Sequence, residues 1–251
     1  MFEVTLTFHG GLSYFLRREH RDGGHVRRTL AEKTAVKDVI ESCGVPHPEV
    51  DLIVANEAGA VDFRWQVTGP AALEIYGVPA PAGIAPDAPR LQGGAPARFV
   101  ADGHLGKLVR NLRLLGFDTA YERDADDPRL LQIMANEERT LLTRDRPLLM
   151  HGSVRHGYCP RSDQSEEQTH EVLRRFSLRP TPSAFFTRCL HCNGILAPVD
   201  KSEVAAELAD EPLTLRFHDD FRRCAGCRRI YWPGTHAPKL AALAERLRGE
   251  P

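Results

Sequence analysis

Three aspartates stand where a divalent-metal site would require them. Asp102 follows a short apolar run at residues 98–101, and Asp145 follows a similar run at residues 140–143. Runs of this length, bounded by polar residues, predict buried strands rather than helices. Asp127 opens a predicted helix between the two strands. Because ligands bind beyond the carboxyl ends of the strands in an open α/β sheet, we expect the three carboxylates to face one pocket.

Converging carboxylates repel one another unless a cation lies between them, and oxygen ligands suit Mg²⁺ or Mn²⁺. Such an ion can activate a water for attack on a phosphodiester, which predicts a metal-dependent nuclease. The alternative for Asp127 is an N-cap role, worth about 1 kcal/mol, which is compatible with metal binding. Asp163 and Glu167 offer a fourth carboxylate, although capping on the surface explains either one.

The helix predicted over residues 104–115 places cations beside this pocket. Its apolar stripe ends before Gly116 and consists of Leu105, Leu108, Val109, Leu112 and Leu115. Lys107, Arg110 and Arg113 lie off the stripe, and the helix has no acidic residue. These cations either contact substrate phosphates or form a solvated scaffold face.

Arg144 lies between Thr143 and Asp145. If the strand continues through these residues, alternate side chains face opposite sides of the sheet. Thr143 and Asp145 then share a side, and Arg144 either points away from the pocket or contacts the scissile phosphate.

The chain has six cysteines, of which four form two Cys-X-X-Cys pairs: Cys189, Cys192, Cys224 and Cys227. Two such pairs separated by a loop predict a structural zinc site with four thiolate ligands. The alternative is two disulfides, which a reducing compartment disfavours. We expect the remaining cysteines, Cys43 and Cys159, to be small core residues.

Basic and aromatic residues surround the second cysteine pair. Arg228 and Arg229 follow it directly, and Tyr231 and Trp232 come next. Arginines bind phosphates and aromatic rings stack on bases, so we interpret this stretch as an RNA contact. The alternative is that the two aromatic side chains cover a ribbon too small to have a core of its own.

The first eighty residues predict a separate module. Residues 2–8 alternate apolar and polar as a strand does, Gly10 and Gly11 turn the chain, and residues 12–16 are predicted to return as the second arm of a hairpin. Thr34 is expected to cap a helix that stops at Gly44. Further strands are predicted at residues 51–55 and 73–76. This order is typical of a β-grasp domain.

Composition limits the class of protein. The chain has 251 residues, of which 42% are apolar and 27% charged, and its net charge is -1. It contains no apolar run of the ~18 residues that a membrane span needs, and residues 1–5 do not resemble a signal peptide. We therefore expect a cytoplasmic protein that does not bind membranes, and any nucleic-acid binding must use a local basic surface.

Strands and helices alternate after residue 97, which predicts a parallel sheet with right-handed crossovers. A further strand is predicted around residues 157–159, then a helix over 166–176. The predicted architecture is thus α+β followed by α/β. Its parts are a β-grasp domain at 1–80, a linker at 81–96, a parallel-sheet domain at 97–183, a zinc ribbon at 184–238 and a terminal helix and tail at 239–251.

The segment from Arg98 to Arg146 resembles the Mut-seven C-terminal RNase family of PIN-like nucleases. The resemblance is carried by Phe99-Val100-Ala101-Asp102, by the helix from Gly106 to Gly116 and by Leu142-Thr143-Arg144-Asp145, and the cysteine pairs match the ribbon of that family. It implies a PIN-like domain and a metal-dependent endoribonuclease with Asp102, Asp127 and Asp145 as ligands of Mg²⁺ or Mn²⁺.

Residues 35–50 resemble the ubiquitin-like domain fused to certain bacterial nucleases, which is similar to sulfur carriers. Sulfur carriers need a free C-terminal Gly-Gly, but Gly93-Gly94 lies within the Pro/Gly/Ala-rich segment 79–96, and the chain continues. We therefore interpret that segment as a flexible linker.

Two classes of function agree with the sequence. The first is a ribonuclease whose ribbon and N-terminal domain help to position RNA. The second is a non-catalytic adaptor that binds RNA or protein, in which the β-grasp domain recruits a protein partner.

Overall fold

The computed structural model describes residues 1–56 and 58–249. Contacts within the chain divide it into two compact units. The first unit consists of residues 1–96 and 143–159, and the second consists of residues 97–142 and the chain from residue 160 onward. Among the described residues, no helix combines the length and apolar character that a bilayer span demands.

The strands, in chain order, are β1 (Phe2–His9), β2 (His25–Leu30), β3 (Thr34–Ala35), β4 (Val50–Ala55), β5 (Gly59–Val61), β6 (Gln66–Val67), β7 (Ala71–Gly77), β8 (Phe99–Ala101), β9 (Thr119–Tyr121), β10 (Thr140–Leu142), β11 (Gly157–Tyr158), β12 (Leu196–Val199), β13 (Phe221–Cys224) and β14 (Ile230–Tyr231). The α-helices are α1 (Val36–Ser42), α2 (Gly106–Leu114), α3 (Asp127–Asn136), α4 (Arg146–Leu149), α5 (Ser165–Arg175), α6 (Lys201–Val204), α7 (Pro212–Phe217) and α8 (Ala237–Arg248).

The first unit contains a mixed sheet in the order β2-β1-β7-β4-β5. Strand β1 is antiparallel to β2 and parallel to β7, and β7 is antiparallel to β4. Alternate residues of β1 (Val4, Leu6 and Phe8) are buried, as the alternation of apolar and polar residues predicts. This mixed sheet fits the predicted β-grasp architecture.

The predicted hairpin at residues 12–16 is wrong. The chain forms a 3-10 helix at Gly10–Phe15, and the strand that pairs with β1 is β2 instead. Leu12, Phe15 and Leu16 are buried. Their spacing of three and four residues suits one face of a helical turn, whereas a half-buried strand would bury every second residue.

Thr34 does not cap α1. Ala35 occupies the N-cap position, while Thr34 and Ala35 form β3, which pairs with β6. The Thr34 hydroxyl donates to the Glu32 carbonyl instead. The predicted stop at Gly44 is confirmed, since this residue has a φ of +93° just beyond the helix.

The segment predicted as a flexible linker is attached to β4 by Asp51, which is 5% exposed. Its carboxylate accepts hydrogen bonds from the backbone N–H groups of Ala80 at 3.1 Å and Gln92 at 3.2 Å. The Leu91 N–H donates to the Asp51 carbonyl at 2.8 Å. A buried carboxylate needs such donors, and they hold the segment near both of its ends.

The second unit begins with the parallel strands β10-β8-β9. Ala101 pairs with Leu142 on one side and Tyr121 on the other, so these three strands end at one edge. Helices α2 and α3 connect them, which confirms the predicted alternation of strand and helix. The predicted stripe of α2 is buried, and Gly116 follows the helix with a φ of +92°.

The later part of the second unit contains α5, a small antiparallel sheet and α8. The small sheet has the order β12-β13-β14, and α6 and α7 lie between β12 and β13 in the chain. Val204, Leu208 and Phe221 form a cluster with Trp232 packed against it. Helix α8 begins two residues before the predicted start, and its Ala244 and Leu247 are buried.

Candidate active site and cysteine cluster

Asp102 lies at the carboxyl end of β8. Its backbone N–H donates to the Leu142 carbonyl at 3.0 Å, which holds the residue beside the end of β10. The side chain is half-buried, and Asp102 precedes a 3-10 helix at Gly103–Leu105. The sequence prediction that Asp102 ends a parallel strand is confirmed.

Two glycines that the sequence analysis did not use shape the loop after Asp102. A Cβ atom on Gly103 would lie 2.3 Å from the Arg123 carbonyl oxygen, and one on Gly106 would lie 2.8 Å from the Tyr121 hydroxyl. The Tyr121 hydroxyl donates to the Gly103 carbonyl at 2.8 Å. The backbone therefore passes too close to its neighbours for a side chain here. The run Asp-Gly-X-X-Gly is the signal that could have indicated this.

Asp127 is the first residue of α3, and its side chain is exposed. The cap of this helix is Asp126, whose carboxylate accepts a hydrogen bond from the Arg129 N–H at 3.0 Å. The N-cap alternative for Asp127 is therefore wrong, because the neighbouring aspartate already occupies that position.

Asp145 is the N-cap of α4. Its Oδ1 accepts a hydrogen bond from the Leu148 N–H at 2.9 Å, and its own N–H donates to the Thr143 hydroxyl at 2.9 Å. Strand β10 ends at Leu142, so strand alternation does not extend to these residues. The strand alternation on which the sequence prediction for these residues relied is therefore absent, and Thr143 is buried whereas Arg144 and Asp145 are both exposed.

Asp163 and Glu167 are exposed at the start of α5, where Asp163 precedes the first helical residue, Ser165. On α2, Lys107 and Arg110 are exposed, as expected for residues off the apolar stripe.

Arg113, the third cation of α2, is only 3% exposed. Its guanidinium donates to the Thr119 carbonyl at 2.8 and 3.0 Å and to the His191 carbonyl at 2.8 Å. Burial lowers the pKa of Arg113, and the thiols of Cys189 and Cys192 act in the opposite direction. These contacts favour the scaffold role for Arg113 over phosphate contact.

The sulfur atoms of Cys189, Cys192, Cys224 and Cys227 lie within 4.8 Å of one another. The Sγ atoms of Cys189 and Cys227 are 3.7 Å apart, and those of Cys192 and Cys224 are 3.3 Å apart. The two sequence pairs are thus interleaved around one centre. Among the described residues, these four cysteines are the group that lies close enough together to hold a metal ion, and the predicted aspartates Asp102, Asp127 and Asp145 do not form such a group.

Both cysteine pairs form the same kind of turn. The N–H of Cys192 points at Cys189 Sγ at 3.4 Å, and the N–H of Cys227 points at Cys224 Sγ at 3.4 Å. The residue after each pair, Asn193 or Arg228, has a positive φ of 72° or 63°. Such turns direct backbone N–H groups at the sulfur atoms, and these donors stabilise the ionised thiolate relative to the neutral thiol.

The pKa values differ between these thiols. Burial raises the pKa of Cys192, but the Gly194 N–H and the neighbouring thiols outweigh burial and lower the pKa to about 6. Burial and the same neighbours raise the pKa of Cys227 to about 12. Gly194 is required at this position, since a Cβ there would lie 2.8 Å from Cys224 Sγ.

The aromatic residues after the second pair pack inward. The Tyr231 hydroxyl lies 3.0 Å from Cys189 Sγ, and Trp232 packs near Phe221 with ring centroids 6.5 Å apart. These contacts favour the covering alternative for both residues. Arg228 and Arg229 are exposed.

An ion-pair network that the sequence analysis missed lies between β9 and the first cysteine turn. Asp118 accepts hydrogen bonds from Arg139 at 2.6 Å and from the Asn193 side chain at 2.8 Å, and Arg188 lies 3.3 Å away. Asn193 Oδ1 also accepts from the Thr119 N–H at 3.0 Å. Asn193 thus extends the hydrogen bonding of the edge strand β9. The asparagine after the Cys-X-X-Cys pair is the signal that could have indicated it.

Residues 97–244 match the family described as Mut7-C RNAse domain, and residues 1–82 match the one described as Mut7-C ubiquitin. Over 101 residues the chain is 34% identical to the human protein named "Exonuclease mut-7 homolog". The match covers 38% of this chain and 12% of the human protein, so the chain corresponds to a small part of that relative. No solved structure shows significant similarity. The chain belongs to the Mut7-C RNAse domain family and carries a Mut7-C ubiquitin domain at its N-terminus.

Proposed function

We propose that the protein is a divalent-metal-dependent ribonuclease of PIN-like type that hydrolyses phosphodiester bonds of RNA. The observation that carries this proposal is the match of residues 97–244 to the Mut7-C RNAse domain family, because that range contains Asp102, Asp127 and Asp145.

Each of the three aspartates, considered by itself, is accessible to a cation. Asp102 is half-buried, and Asp127 and Asp145 are exposed, so all three are within reach of solvent ions. Asp102 follows the carboxyl end of β8, where parallel α/β sheets bind their ligands. Asp145 uses Oδ1 as a helix cap, which leaves Oδ2 for a cation. Carboxylate oxygens suit Mg²⁺ or Mn²⁺.

When bound, such an ion would activate a water and offset charge on the scissile phosphodiester. The ligands that the sequence predicts for such an ion are Asp102, Asp127 and Asp145. Lys107, Arg110 and Arg144 would bind phosphate oxygens of the RNA, since these three side chains are exposed, whereas Arg113 is buried.

The four cysteines would bind one structural zinc. A tetrahedral zinc with Zn–S bonds of about 2.3 Å separates its sulfurs by about 3.8 Å. The Cys189–Cys227 separation of 3.7 Å agrees with that value, and the Cys192–Cys224 separation of 3.3 Å is shorter than it. Four protein thiolates would leave no open position on the metal, so its role would be structural.

The ribbon would assist RNA binding through Arg228 and Arg229, which are exposed next to the cysteine cluster. Tyr231 and Trp232 would support this surface from beneath rather than stack on bases. The Mut7-C ubiquitin domain would add a protein-binding surface, in keeping with its fold type. Because zinc-binding cysteines keep their thiolates in a reducing compartment, we propose a cytoplasmic location.

The decisive experiment measures RNA cleavage during a Mg²⁺ or Mn²⁺ titration. We expect cleavage to require the ion, and Asp102→Asn and Asp145→Asn to lose at least about a hundredfold in kcat, because a lost ligand removes several kcal/mol of charge stabilisation. Asp124→Asn is the matched control, since Asp124 is an exposed aspartate in the loop before α3. A circular RNA distinguishes internal cleavage from the exonuclease action named in the human relative.

Wild-type cleavage that needs no divalent ion, or near-normal cleavage by Asp102→Asn, would contradict the proposal. RNA binding without any cleavage would support the adaptor function instead.

A further inference from the structure

The first compact unit contains a cavity of about 540 Å³. Its walls come from the end of the 3-10 helix at Gly10–Phe15 and the residues just after it, from the end of α1, and from α4. All of these wall residues belong to the same unit. The volume lies within the range of small-molecule sites, about 300–1,000 Å³. The cavity is therefore large enough for a small organic ligand.

Three arginines line this cavity: Arg17, Arg21 and Arg146. Arg17 and Arg21 are exposed, so dissolved ligands can reach them. Arg21 Nε donates to the Leu16 carbonyl at 3.0 Å, and the two Nη groups of Arg21 carry four further N–H donors. Guanidinium groups bind phosphates and carboxylates through paired hydrogen bonds. The arginines thus favour a ligand that carries one of these anions.

Arg146 is held in place at the wall of the cavity. Its guanidinium donates to the carbonyls of Phe15 at 3.1 Å and Tyr14 at 3.4 Å. The guanidinium carbon also lies 5.2 Å from the ring centroid of Tyr14 and 5.1 Å from that of Phe15. These contacts fix a positive charge at the wall before any ligand arrives, which lowers the entropy cost of binding an anion.

The negatively charged groups of the wall already have partners. Among the described residues that line the cavity, Glu41 is the only one with a carboxylate. One of its oxygens lies 2.6 Å from His47 Nδ1, and the other lies 4.0 Å from Lys37 Nζ. The Ser42 carbonyl at the end of α1 accepts a hydrogen bond from Arg28 at 2.9 Å. The cavity therefore keeps an excess of positive charge, which favours an anionic ligand.

The rest of the wall includes apolar side chains. Phe15, Leu16 and Cys43 are buried, and Met150 is partly buried. Small-molecule sites commonly combine an apolar wall with a few charged groups that fix the orientation of the ligand. A ligand that joins an anion to a flat aromatic group matches both parts of this cavity.

We propose that this cavity binds a nucleoside 5′-monophosphate, with the phosphate on Arg17, Arg21 and Arg146 and the base against the apolar wall. A phosphate monoester carries a charge of about −1.5 to −2 at pH 7 and has three acceptor oxygens, which suits three guanidinium groups. The choice of a nucleotide over another phosphate ester rests on the proposed function, because the proposed substrate is RNA. The nucleotide is either free or the 5′ end of an RNA, since both present the same chemical group.

Isothermal titration calorimetry of the full-length chain, without added divalent ions, measures this binding separately from cleavage. The ligands are UMP, uridine, inorganic phosphate, O-phosphotyrosine, and an RNA tetranucleotide with or without a 5′-phosphate. The variants are Arg17→Gln and Arg21→Gln, and circular dichroism should show an unchanged fold because both side chains are exposed. Arg18→Gln is the matched control, since Arg18 is an exposed arginine next to Arg17 that does not line the cavity.

We expect UMP to bind at least about tenfold more tightly than uridine, which lacks the charged hydrogen-bond acceptor. Inorganic phosphate should also bind more weakly than UMP, because it has no base to contact the apolar wall. Arg17→Gln and Arg21→Gln should each raise the Kd for UMP by about tenfold, the effect of a lost hydrogen bond to a charged group. Arg18→Gln should leave this Kd near the wild-type value. UMP should also slow hydrogen exchange at residues 15–21 and 41–44.

Two outcomes support the proposal and identify the source of the nucleotide. A 5′-phosphorylated tetranucleotide that binds as tightly as UMP would assign the site to an RNA end. Binding of UMP without binding of the tetranucleotide would assign it to a free nucleotide.

The proposal would be overturned by failure of UMP to bind, by equal affinity of wild type and both cavity variants, or by tighter binding of O-phosphotyrosine than of UMP. Cleavage of RNA is a separate measurement. A protein that cleaves RNA but does not bind UMP would overturn this inference alone. A protein that binds UMP but does not cleave RNA would overturn the proposed function and support the binding site.

Discussion

At the scale of single residues, Asp118 is the acceptor for the cations that join β9 to the first cysteine turn. Burial raises the pKa of this carboxyl, but hydrogen bonds from Arg139 and Asn193 and the charge of Arg188 outweigh burial and hold the pKa below 3.8. Arg139 is 8% exposed at its side chain, so removal of its partner would leave a buried cation without compensation.

We therefore predict that Asp118→Asn lowers the free energy of unfolding by about 2 kcal/mol at neutral pH. The ionised carboxyl stabilises the fold fully at pH values above its ordinary pKa, and this contribution disappears as pH falls through the lower pKa of the folded state. Urea denaturation at pH 7 and at acidic pH measures the difference between wild type and variant. A difference that stayed constant down to acidic pH would contradict the assignment, and Asp124→Asn should show no such dependence.

Gly103 permits the close approach of two backbone segments beside Asp102. In Gly103→Ala the new Cβ would meet the Arg123 carbonyl oxygen at 2.3 Å, so the loop must move. We predict that Gly103→Ala lowers the free energy of unfolding by about 1–3 kcal/mol, which is the usual cost of overpacking a folded protein. We also predict that it reduces cleavage. Thermal unfolding and cleavage assays measure both effects. Gly152→Ala is the control, because a Cβ there meets nothing within 4 Å, and equal losses in the two variants would refute the explanation.

At the scale of elements, the first cysteine turn is part of the hydrogen bonding of the nuclease sheet. Asn193 accepts from the Thr119 N–H of β9 and donates to Asp118, while Arg113 of α2 donates to the His191 carbonyl. The turn therefore stabilises a strand and a helix of the parallel-sheet region, and its loss should destabilise both of them.

We predict that Asn193→Gly lowers stability by about 1–3 kcal/mol, because it removes both side-chain hydrogen bonds while glycine tolerates the φ of +72°. Hydrogen exchange at the Thr119 amide should rise in the same variant. Arg228→Gly is the control, since Arg228 has the matching positive φ in the second turn and an exposed side chain. Equal stability of Asn193→Gly and wild type would show that the bonds contribute nothing net.

At the scale of the whole molecule, the two compact units should respond differently to loss of the proposed zinc. The cysteine cluster belongs entirely to the second unit. Binding energy of a structural zinc is folding energy of the part that holds it, so the ribbon sheet β12-β13-β14 depends on the metal. The sheet of the first unit has its own buried core on β1, β4 and β7.

We predict that the purified protein contains about one equivalent of zinc per chain. We also predict that a strong chelator, or the variant Cys192→Ser, raises the rate of hydrogen exchange first in β12-β13-β14 and then in β9. Amides of β1 and β7 should keep their protection. Elemental analysis and exchange measured by mass spectrometry test this directly. A rise in hydrogen exchange that was uniform along the chain, or a zinc content well below half an equivalent, would contradict this prediction. Cys43→Ser is the control, because Cys43 is a cysteine outside the cluster.

The sequence by itself determined the elements whose signals are local. Alternation identified β1, the apolar stripe and Gly116 delimited α2, and the succession of strands and helices indicated the parallel sheet. The paired spacing of the cysteines predicted a cluster of four, and the fold forms it by placing Cys189 beside Cys227 and Cys192 beside Cys224. The strand predicted at residues 12–16 was wrong, because a segment of five residues is too short for its apolar pattern to distinguish a strand from a helical turn.

Only the tertiary structure decided what each cation does. Lys107, Arg110 and Arg113 look equivalent on α2, yet of these three only Arg113 is buried. Its guanidinium donates to the carbonyl of His191, which lies 78 residues later in the chain. Likewise, Arg144 and Arg146 flank Asp145, but Arg146 is held by Tyr14 and Phe15 from the far end of the chain. The sequence shows which arginine donors the chain has. The fold determines which of them lie next to carbonyl acceptors from distant residues, and therefore which arginines are buried in the scaffold and which are exposed to solvent.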